Sequence, residues 1–305
     1  MRNIRFSETW DALRAVNWWW LVPSGLVLGI SVLMRAIRWR VLFEPERRPP
    51  LWPVTKATLL GLFFNNILPA RAGEAARIVA LKYYAGTSRA ESTATIVVER
   101  VFDVLSLLLL LFVSVPWLPH VSWLRAAAIL AIALGACLAI MIVVIVVYGE
   151  RPIRFMLRAL LRLPGLGGLD VDRLSLSVTR GFSTLRRPGH GLVAAVWTIA
   201  SWLVMALSFW LLMRGFNLHL PFLAGLLTTI AVGVAFIVPA APAAVGVFEA
   251  AAVAALTAYG VPHSQAFAYA LVLHALNFFP FVAFGFVLLA ALPSEIRRAE
   301  QTATF

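Results

Sequence analysis

Cysteine is nearly absent from this sequence, and with it goes any disulfide framework or Cys/His metal site. The single Cys137 lies inside an apolar run and reads as a small apolar side chain, buried or facing lipid. Five histidines show no metal-ligand spacing. There is no nucleophile elbow and no glycine loop to cradle phosphates, so no enzyme activity and no cofactor are expected. Charged residues make up only 13%, against roughly a quarter in soluble domains. Acidic ones are the scarcer: 14 Asp and Glu face 26 Lys and Arg, giving a net charge of +12. That excess does not point to nucleic acid, because the arginines gather between apolar runs, as in cytoplasmic loops that meet anionic headgroups. Arg2 to Asn17 is polar and amphipathic rather than a short apolar core, so no cleavable signal peptide is expected.

What fills the chain instead is apolar: 61% of residues are hydrophobic, and the mean hydropathy is +0.88. Several runs exceed the roughly 20 residues that span a bilayer as helix, and none alternates like a barrel strand. The expected fold is all-α, a polytopic membrane helical bundle forming a single integral membrane domain over residues 1–305. Residues 1–17 read as an interfacial helix, with Ile4, Phe6, Trp10 and Leu13 set among charges. Trp18 to Trp20 mark a membrane interface. Leu21 to Phe43 is the first span, and Arg35, Arg38 and Arg40 near its end, with Arg47, Arg48 and Lys56, place that end in the cytoplasm. The first half runs over residues 21–148, and 149–190 is a basic amphipathic segment for the inner leaflet. Residues 191–292 make the second half, and Arg297 and Arg298 put the 293–305 tail inside. The expected location is the inner (plasma) membrane, multi-pass, with the N-terminus external and the C-terminus cytoplasmic.

Two apolar stretches are interrupted. The run from Ala57 is expected to break from Asn65 to Gly73, around Pro69, and to restart as a helix at Glu74. Phe222 to Val238 is expected to break at Pro239, Pro242 and Gly246 and to resume over Val247 to Tyr259. Each break falls between two full spans, and loop charge gives the two sets opposite directions, so two re-entrant hairpins in an inverted repeat are expected. Proline and glycine also kink ordinary spans. The amides, arginines and Glu74 beside the first break favour a substrate site there, whereas the Ala-rich second break supports both readings equally.

Ionisable groups at membrane depth are costly and face a cavity or one another. Glu99 and Asp103, four apart, share a helix face, with Arg100 a quarter-turn away, and Arg71 and Arg77 flank Glu74. The expected network joins Arg71, Arg77 and Arg100 to Glu74, Glu99 and Asp103, with Glu249 as a further candidate. A purely structural network near the inner interface is the rival reading. Arg71, in the non-helical break, has the best claim to substrate, since its planar fork suits a phosphate. His274 reads as a satisfied buried histidine, with a proton relay as the alternative.

The run G-x-F-F-N-N-x-L-P-x-R-x-G-E-x-x-R at 61–77, followed by Glu99, Arg100 and Asp103, resembles the flippase-like transmembrane domain of lysylphosphatidylglycerol synthases and their stand-alone relatives. The likeness extends over essentially the whole chain from Trp18. By motif match it implies roles for Asn65, Asn66, Pro69, Arg71, Gly73, Glu74, Arg77, Glu99, Arg100 and Asp103. Pro242 to Glu249 stands where the family has Pro-Gly-Gly-x-Gly-x-x-Glu. Ala243 and Ala244 replace two glycines there, which argues against close backbone contact with a headgroup. His274 stands where relatives carry Arg on the last span. The resemblance implies membrane lipid translocation, with anionic phospholipid headgroups as partners and a homo-oligomer left open. No aminoacyl-transferase domain lies within these residues, so synthase activity is not implied. The alternatives are a secondary transporter of a small anionic solute and a lipid-presenting membrane subunit of a glycosyl- or acyl-transferase system.

Loop charge makes the topology testable. In intact cells Arg162→Cys and Arg187→Cys are expected to react only with membrane-permeant thiol reagents, and Pro119→Cys with impermeant ones added from outside. External labelling of Arg187→Cys would overturn the opposed orientation of the two halves.

Overall fold

Apolar run length sets where the helices fall, and proline, glycine and local capping set where they stop. The computed structural model describes residues 5–68, 72–119, 133, 188–236 and 242–302. The break residues Pro69, Arg71 and Pro239, the run 124–148 with Cys137 but without Ala133, and the basic segment 151–187 lie outside the described residues.

The chain forms α1 (Phe6–Arg14), α2 (Leu21–Val41), α3 (Leu51–Ile67), α4 (Ala72–Ala85), α5 (Arg89–Ser114), α6 (Pro188–Gly215), α7 (Phe222–Ala235), α8 (Val247–Thr257) and α9 (His263–Thr302). No strand occurs among the described residues, and the protein is an all-α bundle of apolar helices. Trp18–Val41, Gly189–Gly215 and His263–Ala291 are long and apolar enough to cross a membrane. Helix α5 matches them in length, with 26 residues, but carries Glu91, Glu99, Arg100 and Asp103. Helix α9 continues through Pro280 and beyond residue 292, so the expected tail extends the last helix to Thr302.

Between its caps α1 is amphipathic, and it lies against the start of α9. The Arg5 backbone N–H donates to Ser264 Oγ at 3.1 Å, Ser264 Oγ donates to Glu8 at 2.9 Å, and Thr9 is buried. Phe6 and Trp10 face outward at 83% and 56% exposure, an arrangement suited to the lipid interface. Helices α2 and α6 pack antiparallel through small residues. Ser24 Oγ donates to the Ser208 carbonyl and Ser208 Oγ to the Ser24 carbonyl, each at 2.8 Å. Close approach over small side chains with crossed hydroxyl bonds is how helices associate where lipid supplies no hydrophobic drive.

At the first interruption the helix outlasts the expected boundary. Asn65 and Asn66 belong to α3, which ends at Ile67, and α4 begins at Ala72, two residues before Glu74. The Asn65 side chain does not break the helix because its Oδ1 accepts the Gly73 N–H at 2.9 Å. The chain leaves the helix at Leu68, extended at φ −102°, ψ 145°, as a residue preceding proline prefers. Helices α3 and α4 then pack with almost no space between Gly61 and Gly73. A Cβ on Gly73 would overlap the Gly61 carbonyl oxygen and the Asn65 side chain.

The second interruption also opens before its prolines, since α7 ends at Ala235. It closes in a turn at Pro242–Ala244 whose backbone is left-handed: Ala243 and Ala244 have φ 55° and Gly246 φ 84°. Left-handed backbone costs an L-residue roughly 1–2 kcal/mol. The two alanines therefore hold a conformation for which glycine is the natural residue, and losing the glycines has not straightened the turn.

Two apolar clusters fill the bundle. One joins Leu28 and Val32 of α2, Leu107 and Leu111 of α5 and the facing sides of α6 to α9. The other joins Ala36, Trp39 and Phe43 to Val54, Leu60, Leu81 and Ile96 of α3, α4 and α5. Along α2 and α5 the polar residues sit at the seam between them.

Gly73→Ala is expected to cost about 1–3 kcal/mol by overpacking, read as a lower melting temperature of the purified protein. Ala243→Gly is expected to raise stability by up to about 1 kcal/mol by relieving the left-handed turn. A clear fall in melting temperature for Ala243→Gly would refute the strain assigned there.

Candidate functional site

The seam opens into a cavity of about 350 Å³ that reaches residues of α2 through α9. Its charged wall is Arg35, Arg38, Glu74, Arg77, Glu99, Arg100 and Asp103, and its amides are Asn65, Asn66 and Asn277. Leu28, Val32, Leu62, Phe236, Phe248 and Phe281 form the apolar wall, and His274, Ala243 and Ala244 close the side nearest the second break.

Glu99 is the hub of the charges. It is buried and meets guanidinium groups from three helices: Arg38 of α2 at 2.9 Å, Arg77 of α4 bidentately at 2.8 and 3.0 Å, and Arg100 of α5 at 2.7 Å. Asp103, one turn on, pairs with Arg38, lies 3.3 Å from Arg100 and accepts the indole N–H of Trp202 at 3.2 Å. Glu74, in the first turn of α4, stands 3.4 Å from Arg77 and 3.6 Å from Arg100. Position along each helix explains the convergence: 99 and 103 lie four apart on α5, and Arg38 follows Arg35 by three on α2.

Aromatic rings hold the cations from behind. The Arg77 guanidinium lies 4.0 Å over Trp39, whose indole N–H donates to Thr95 Oγ1 at 3.0 Å. Arg35 lies 4.8 Å over Trp202 and places Nη2 2.8 Å from Met205 Sδ. No carboxylate stands within 4.0 Å of Arg35 among the described residues. Four guanidinium groups, Arg35, Arg38, Arg77 and Arg100, face three carboxylates, Glu74, Glu99 and Asp103, which leaves one positive charge over among them. Arg100 is the most accessible of the paired cations, its side chain 41% exposed against 2% and 8% for Arg38 and Arg77.

The second break brings its own pair. Glu249 Oε2 accepts the Gly246 N–H at 2.7 Å and Glu249 Oε1 meets His274 Nδ1 at 2.5 Å. His274 stacks on Phe248 at 4.6 Å between ring centres and meets Phe278 edge-on at 6.5 Å. Glu249, a further candidate for the arginine network, instead takes Gly246 and His274 as its partners. Its helix N-terminus and His274 use both of its oxygens, so no guanidinium is needed to answer its charge.

Of the residues singled out from the sequence, the structure brings Asn65, Asn66, Glu74, Arg77, Glu99, Arg100, Asp103 and His274 to one cavity. Gly73 works behind it in the α3–α4 contact, and Pro242 and Gly246 form the second turn. Arg35, Arg38, Trp202 and Asn277 were not anticipated as site residues. The available signal was that Arg35 and Arg38 fall inside the span that begins at Leu21, three apart and hence on one face. Among the described residues no three His, Cys, Asp or Glu side chains gather so as to hold a metal ion.

With the site in view, comparison with known proteins gives its relatives. The model of a family described as the lysylphosphatidylglycerol synthase TM region matches residues 1–285. A UPF0104 membrane protein of Methanocaldococcus jannaschii is 23% identical over 227 residues, which are 74% of this chain and 93% of that protein. The family match takes in every residue that lines the cavity, and the chain belongs to the family of the lysylphosphatidylglycerol synthase transmembrane region.

Proposed function

We propose that this membrane protein carries a lipid with an anionic headgroup between leaflets, the headgroup in the cavity and the tails alongside its apolar wall. The observation that carries the reading is a surplus of guanidinium over carboxylate in a cavity that also has an apolar wall of leucine, valine and phenylalanine. An amphipathic anion has a partner for each of its ends there. The interrupted pairs support the same reading. Helices α3, α4, α7 and α8 have 17, 14, 14 and 11 residues, each short of the roughly 20 that span a bilayer. Such pairs enter and return, bringing broken backbone to membrane depth where it lines a cavity. In this reading the chain is not an enzyme. Its N-terminus is external and its C-terminus cytoplasmic.

Transport follows as competition between the headgroup and the internal ion pairs. Arg100 bridges Glu74, Glu99 and Asp103 and is the most exposed of the three paired cations, so it is the one a headgroup phosphate can draw off. Arg38 and Arg77 stay with Glu99 and keep α2, α4 and α5 together. A buried pair loses most when only one partner is removed, so the network tolerates exchange of its outer member and not of its inner ones.

In liposomes the purified protein is expected to speed leaflet exchange of a fluorescent phosphatidylglycerol, and no acceleration with any of several anionic headgroups would sink the proposal. Glu99→Gln and Asp103→Asn each remove one negative charge from the cluster. Both are expected to bind anionic lipid as tightly as the parent or more tightly and to exchange it at least about tenfold more slowly, a change of about 1.4 kcal/mol in the barrier. Parent-like exchange in both would place the site away from α5.

A further inference from the structure

We infer that Arg35 is the residue that grips the ligand's oxyanion, a phosphate or phosphate ester. The inference rests on the reading of the cavity as an anion site and adds which cation makes the contact.

The arginines of the cavity are not equivalent. Arg38, Arg77 and Arg100 each have a carboxylate oxygen within 2.9 Å. Arg35 has none within 4.0 Å among the described residues, and its one described hydrogen-bond contact is with Met205 Sδ, a weak acceptor. A guanidinium has five N–H donors in a fixed plane, so Arg35 meets the cavity with donors that no oxygen of the described residues occupies.

Its posture is held from outside. Trp202 lies against the guanidinium at 4.8 Å, and Trp202 is itself anchored by its indole N–H on Asp103. A planar cation stacked on a ring keeps its edge for a second partner, and that edge matches two oxygens of a phosphate bidentately. The same anchor links the two parts of the site: Asp103 holds Trp202 on one oxygen and Arg100 on the other. A ligand on Arg35 therefore lies beside the cation that transport releases. The rival is a bracing role, with Arg35 serving only to pack against Trp202 and Met205.

The test uses the full chain in detergent with four probes: dihexanoylphosphatidylglycerol, uncharged dihexanoylglycerol, glycerol 3-phosphate and inorganic phosphate. The parent is expected to prefer dihexanoylphosphatidylglycerol to dihexanoylglycerol. Arg35→Gln is expected to weaken that binding about tenfold or more, the loss of a charge-assisted hydrogen bond, with the probe-free melting temperature near that of the parent. Arg35→Lys, which keeps the charge without the fork, is expected to fall between; if the Gln variant fails to fold, weaker binding by the folded Lys variant decides for the inference and parent-like binding against it. Tight binding of the phosphatidylglycerol alone identifies a lipid headgroup as the source of the oxyanion. Equally tight, Arg35-dependent binding of glycerol 3-phosphate or inorganic phosphate identifies a soluble phosphate. Parent-like affinity in Arg35→Gln overturns the role of Arg35 and leaves the anion site standing. A parent with no preference for the phosphorylated probes overturns both. Failure of both variants to fold shows that Arg35 is a brace, and the inference falls.

Discussion

A guanidinium set among apolar helices needs something to answer its charge, and in this protein one carboxylate answers three of the four that line the cavity. Glu99 takes Arg38, Arg77 and Arg100 from α2, α4 and α5. Desolvation makes such a cluster a poor device for stability alone, because apolar side chains of similar volume would hold the same helices at less cost. Once the charges are present, the geometry of everything near them follows. Arg38 must arrive on α2 at the depth of Asp103, Trp39 must back Arg77, and α4 must start where Glu74 can reach both Arg77 and Arg100.

The interrupted helices give these charges their place. A continuous span would leave Asn65, Asn66 and Glu74 against lipid or against a neighbouring helix, whereas with α3 ending at Ile67 and α4 packed back on it they line the cavity. The glycine pair Gly61 and Gly73 lets the two short helices touch along their backbones, which brings Arg77 across to Glu99. On the opposite side the left-handed turn at Ala243 and Ala244 brings the start of α8 down to the same cavity, with His274 as the cover over Glu249.

Most of the helices were legible in the sequence because apolar length and proline act locally. The α-class, the main apolar helices and the existence of both interruptions follow from runs and breaks of a few residues. What the sequence concealed depends on partners far along the chain. Arg35 and Arg38 read only as charges that orient the end of the first span, since counting basic residues near a span end ignores which way a side chain points. Their direction is set by Trp202 and Met205, about 170 residues on, and by Glu99 and Asp103. Asn65 read as a helix breaker because its acceptor role lies eight residues ahead, at Gly73. Glu249 read as a further candidate for the arginine network because its histidine stands 25 residues downstream. The left-handed alanines carry no local signal, for alanine favours helix by itself.

The crossed serine bonds between α2 and α6 bear on how such a protein could move. Ser24 and Ser208 each give their hydroxyl to the other's carbonyl, and the same two helices carry Arg35 and Trp202 further along. One helix comes from the first part of the chain and the other from the second, so a hydrogen-bonded seam runs across the sequence midpoint. A rocking of one half of the sequence against the other would have to unzip it.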